Sequence, residues 1–188
     1  MGKKPQLNLT EHIANIAKDI CQRLPEFAHI DIRRVLFAVT STRNVSPGGV
    51  FAKIAGLRFP DGTALKVMHG AHYSLPQIPT PHGDVLYVIY IYVPRFFEQP
   101  YERRVLTLIH ELYHISPMFD GTIRKVGRGA HGASRDGFND ALDPLVQRYL
   151  ATRPAPELLM ILQCDFMNMA RKYSLLGRKL PLPKALRL

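Results

Sequence analysis

The chain has 188 residues, of which 46% are hydrophobic and 21% charged, and its formal net charge is +10. That length and apolar content suit one domain with a real core and exclude a mainly disordered chain. No apolar run is long enough for a membrane span, so no membrane partner is expected. The nearest, from Asp84 to Phe97, is broken by Pro94 and Arg95. Met1-Gly2-Lys3-Lys4-Pro5 leads into no apolar segment of the signal-peptide kind. Two distant cysteines, Cys21 and Cys164, make no disulfide framework, so a cytoplasmic protein is expected. The positive balance permits non-specific contact with nucleic acid or another acidic surface and identifies neither.

In chain order, Ile13, Ile16, Ala17, Ile20 and Leu24 recur at helical spacing and predict a helix over 9–24. Asn8 stands at its cap with Glu11 three residues on, and Pro25 ends it. Strands follow over 33–42 and 50–59, with a turn of Asn, Ser, Pro and Gly between them. A short strand is expected over 64–68, then a surface loop over 69–83 that holds His69, His72 and His82. Val, Ile and Tyr fill 84–94 and predict the strongest strand, with Tyr87, Tyr90 and Tyr92 as packing and edge residues. Helices are expected over 101–115, 134–150 and 156–173. Asp143-Pro144 leaves the middle one either kinked or divided. Strands first and helices second indicate an α+β fold. The expected organisation is one domain over 1–175 and a basic, proline-containing tail over 176–188 whose leucines pack in part on the domain.

The chemistry lies in His110-Glu111-Leu112-Tyr113-His114, an H-E-x-x-H sequence. Two histidines four residues apart share one face of a helix and offer two imidazole nitrogens to one metal ion. The glutamate beside the first is placed to act as a general base. With His110 at zero and about 100° per residue, His114 falls near 40° and Glu111 near 100°. Val105, Leu108, Ile109, Leu112 and Ile115 fall between about 140° and 260°. One side of the helix therefore anchors in a core and the other is expected to face a cleft.

Catalytic zinc sites commonly take three protein ligands and water. Two residues compete for the third place. Asp120 lies six residues after His114, but Pro117 stands where short-motif metalloproteases turn with a glycine. His131 lies seventeen residues after His114, and Gly132 beside it lets the backbone approach closely. Imidazole is the commoner ligand, which favours His131. Arg103, Arg104, Arg124, Lys125 and Arg128 gather around the motif, as a solvated face or as a contact for acidic substrate or phosphate.

His110-Glu111-x-x-His114 followed by His131-Gly132 and Phe138 resembles the SprT-like zinc metalloproteases. It looks closer still to the phage and bacterial metallopeptidases with His-Glu-Leu-Tyr-His, Asp-Gly-x-x-Arg and a later His-Gly. The middle segment here is Asp120-Gly121-Thr122-Ile123-Arg124. Phe138 stands six residues after Gly132, where the SprT-like pattern has three. The resemblance implies a zincin-like fold with an N-terminal helix, a small mixed or antiparallel sheet, an active-site helix and C-terminal helices. It also implies Zn²⁺ on His110, His114 and His131, Glu111 as base, and hydrolysis of a peptide or protein. By the same likeness the substrate lies extended on a sheet edge supplied by the 84–94 region or a neighbouring strand. Tyr113, Arg124 and Arg128 are candidates to steady an oxyanion. The rival readings are a nucleic-acid-binding module with structural zinc and an inactive zincin scaffold. Glu111 argues against both, since neither needs a carboxylate beside the first ligand.

Overall fold

In this computed structural model, residues 3–41, 49–124 and 135–188 are described, with backbone only for 135–137. The first part of the chain supplies β1 (Gln6–Asn8), α1 (Leu9–Arg23), β2 (Val35–Ser41), β3 (Ala52–Gly56), β4 (Leu65–Met68), β5 (Ala71–Ser74) and β6 (Tyr87–Val93). The second part supplies α2 (Tyr101–Tyr113), α3 (Arg135–Ala151), α4 (Pro156–Gln163), α5 (Phe166–Lys172), β7 (Ser174–Leu176) and β8 (Leu186–Arg187). The fold is α+β, as the order of sequence patterns indicates. Asn8 caps α1 as expected, its Oδ1 accepting from the Glu11 backbone N–H at 3.3 Å.

The central sheet is mixed and runs β2-β6-β3, with β6 parallel to β2 and antiparallel to β3. Strand β6 therefore has its backbone paired on both sides and is no edge. The edges are β2 and β3, so of the two alternatives expected for a sheet edge the 84–94 region is excluded and a neighbouring strand remains. The near-continuous apolar character of β6 has the same origin, because both of its faces are covered. One face carries Val35, Phe37, Val39, Ile54, Tyr87, Ile89 and Ile91 and joins the main core with α1 and α2. The opposite face carries Ala38, Val88 and Tyr90 in a smaller cluster.

The C-terminal segment covers that smaller cluster. The Val39 N–H donates to the Arg178 carbonyl at 2.8 Å. The Tyr90 hydroxyl donates to the Pro181 carbonyl at 2.7 Å. Leu180 packs against this cluster, and β8 then joins β5 in the antiparallel sheet β4-β5-β8. A Cβ at Gly177 would lie 2.4 Å from a methyl of Val39, so glycine alone lets the strap come this close. Strand β5 occupies part of the region read as loop, and His69-Gly70 makes the turn into it with positive φ at both residues.

The helix expected over 156–173 is two helices, α4 and α5. Asp165 caps α5 by accepting from the Asn168 N–H at 3.0 Å. Arg104 from α2 fills the break, donating through Nη1 to the carbonyls of Leu162 (2.7 Å) and Cys164 (2.6 Å). Its Nε donates to the Gln99 carbonyl at 2.7 Å and its Nη2 to that of Phe97. Arg104 is thus buried, and it belongs to neither a solvated basic face nor a phosphate contact. Its charge is met by the orphan carbonyls at the end of one helix and of a 3₁₀ turn. Helix α3 passes through Pro144 as one element.

Candidate metal centre

Helix α2 lies against the sheet on Val105, Leu108, Ile109 and Leu112, all fully buried. His110 and Glu111 fall on its last turn, and His114 is its C-cap, whose N–H donates back to the His110 carbonyl at 3.3 Å. The helical spacing brings the Nε2 atoms of His110 and His114 to 3.0 Å, with ring centroids 4.7 Å apart. The three side chains are almost sealed from solvent, at 6% exposure for His110, 6% for Glu111 and 3% for His114. The histidine face therefore does not open directly on water. Phe138 of α3 covers it, stacked on His114 at 5.3 Å and edge-on to His110 at 4.9 Å and to Tyr113 at 5.6 Å.

Next to Phe138, Asn139 Oδ1 lies 2.8 Å from His110 Nδ1. A carbonyl-type oxygen can only accept, so the ring nitrogen facing it carries the proton. His110 Nε2, on the other side of the ring, then presents its lone pair toward His114. Asn139 was not legible in the sequence as a functional residue; its only signal is adjacency to Phe138.

After His114 the chain reverses. Ile115 bridges Ile123 in antiparallel fashion, with Phe119 and Gly121 at positive φ in the turn. Tyr87 of β6 pins that turn: its hydroxyl accepts from the Gly121 N–H at 3.0 Å and donates to the Thr122 carbonyl at 2.9 Å. Burial pushes this phenol up to about 12, so it stays protonated and able to donate. The reversal returns Arg124 to the site, where its N–H donates to the His114 carbonyl at 2.8 Å. The Arg124 guanidinium lies over the Tyr113 ring at 4.2 Å, and its Nε donates to the Ile115 carbonyl at 3.2 Å.

Asp120 is turned into the loop, its Oδ1 accepting from the Thr122 N–H at 3.0 Å and the Thr122 hydroxyl at 2.7 Å. Among the described residues no group of three or more His, Cys, Asp or Glu that could hold a metal is formed, at the His110/His114 pair or near His69, His72 and His82. His131, Lys125 and Arg128 lie outside the described residues. Arg103 is half exposed and 3.7 Å from Asp143, a surface pairing of little energetic weight.

The donor chemistry fits a zinc ion. Two tetrahedral Zn–N bonds of about 2.0–2.1 Å put their nitrogens roughly 3.3 Å apart. The observed 3.0 Å between the two Nε2 atoms is close to that separation.

Fold and site together define the class: an α+β protein with an H-E-x-x-H helix laid under a mixed sheet. A family model described as "Putative phage metallopeptidase" matches residues 6–140, and the chain belongs to that family. A metallopeptidase family implies a metal cofactor and a peptide substrate. No curated protein and no solved structure matches the chain. No described helix is long and apolar enough to cross a membrane.

Proposed function

We propose that this protein is a zinc-dependent peptidase of the H-E-x-x-H type, related in mechanism to the SprT-like enzymes. The observation that carries the reading is the convergence of His110 Nε2 and His114 Nε2 at 3.0 Å beside a buried glutamate on the same helix turn. His110 and His114 hold the metal through Nε2, and His131 supplies the third imidazole. Support for His131 comes from the ends of its segment. Residue 124 is bonded to the His114 carbonyl, and residues 138 and 139 touch the two rings, so the described chain leaves and re-enters at the histidine pair. Asp120 is less suited, because its carboxylate is engaged by Thr122.

When bound, zinc supplies Lewis-acid chemistry, polarising a carbonyl and acidifying water toward a pKa of about 7. Glu111 accepts a proton from the attacking water on its carboxylate and delivers it to the leaving amine nitrogen. Glu111 is itself buried, so its carboxylate acts in a medium of low dielectric. Arg124, held over Tyr113, stands within the same region as a donor for a developing oxyanion.

The test is Glu111→Gln, assayed on casein with the zinc content measured in parallel. The amide is nearly isosteric but cannot take the proton. The variant should keep its zinc and lose hydrolysis by a factor of 100 or more, in the range general-base catalysis supplies (roughly 10²–10⁴). Wild-type turnover by the variant would show the mechanism to be wrong.

A further inference from the structure

We infer that Asn139 is a positioning residue that fixes the tautomer and orientation of His110, so that Nε2 is the nitrogen offered to a metal. The inference rests on the metal-binding reading of the H-E-x-x-H pair and adds a residue to it. Three contacts within and between α2 and α3 carry it. Asn139 Oδ1 lies 2.8 Å from His110 Nδ1, within ordinary hydrogen-bond distance. Phe138, the preceding residue on α3, stacks on His114, so one helix turn of α3 touches both rings at once. His110 Nε2 lies 3.0 Å from His114 Nε2, on the side of the ring away from Asn139.

The physical argument is one of protons. A neutral imidazole has one N–H and one lone pair, and the partner of one nitrogen decides the state of the other. An oxygen at Nδ1 holds the proton there. Without it the Nε2–H form competes, and metal capture must then first move the proton. The ring also loses a restraint about its χ2 axis, and the imidazole must be ordered again as the metal binds. Both effects lower affinity without altering the ligand itself. An Asn at this place keeps the imidazole neutral, where a carboxylate would also make it more basic.

Two measurements on the full chain test the inference. The first reads metal affinity, by competition of Zn²⁺ with a chromophoric chelator, for wild type, Asn139→Leu and Asn139→Asp. Leu should weaken zinc binding by about 10–100-fold with an unchanged circular-dichroism spectrum, and Asp should restore it. Equal affinity in the Leu variant overturns the inference. Failure of Asp to rescue does so too, because an acceptor-only side chain must substitute if the amide oxygen faces the ring.

The second measurement reads the metal-free protein by ¹⁵N–¹H correlation of the histidine side chains. His110 should be the Nδ1–H tautomer in wild type and shift toward Nε2–H in Asn139→Leu. An Nε2–H His110 in wild type overturns the inference. This readout needs no zinc, so a wild-type chain that takes up no metal sinks the peptidase reading while leaving the role of Asn139 to be decided by the spectrum.

Discussion

The two faces of the central sheet are buried by different means. The inner face meets α1 and α2, so Ile89 and Ile91 pack into the large core that also seats the histidine helix. The outer face has only a small cluster, closed by Leu180 and by two hydrogen bonds from the strands to the backbone of the C-terminal strap. Helices bury a wide area and carry side chains to fixed places four residues apart, which is what a pair of ligands requires. An extended strap has no such periodicity, and it contributes cover and edge protection instead. Chemistry is therefore expected on the inner side alone, although each strand of the sheet contributes side chains to both faces.

The comparison can be broken by truncating each face in turn. Ile89→Ala, on the inner face, should cost about 3 kcal/mol, because it empties a site with no solvent to fill it. It should also reduce zinc uptake, since α2 loses its seat; denaturant unfolding and a metal assay check both. Leu180→Ala, on the outer face, should cost about 1 kcal/mol, because part of that side chain already meets water. It should leave zinc binding unchanged. A strap variant that loses its metal would mean that the two faces are coupled through the sheet and that the division drawn here is wrong.

Much of the frame was legible from sequence because it rests on local pattern. Asn8, Glu11 and the 3.6-residue apolar stripe mark α1, and the Val/Ile/Tyr run marks β6. The histidine pair was readable for the same reason, since i and i+4 on a helix need no tertiary information. What escaped depends on distant partners. Strands β1 and β7 have three residues each and exist by pairing across nearly the whole chain, as Gln6 with Ser174. The edge was left open between the 84–94 region and a neighbouring strand, because composition reveals burial on two faces but not which neighbours provide it. Arg104 has the residue type of a surface and the environment of a core, set by carbonyls at the end of α4. Asn139 faces His110 from a different helix, and no spacing within the sequence announces that contact. Phe138 was marked only through a family resemblance, yet it covers both imidazoles.

The most direct measurement is the zinc stoichiometry of the purified chain, by elemental analysis after dialysis against metal-free buffer, beside that of His114→Ala. The convergence of His110 and His114 predicts close to one zinc per wild-type chain and none retained by the variant. A wild-type chain that neither carries zinc nor takes it up on titration, or a His114→Ala variant that holds it as firmly, would contradict the assignment of the paired histidines as a metal centre.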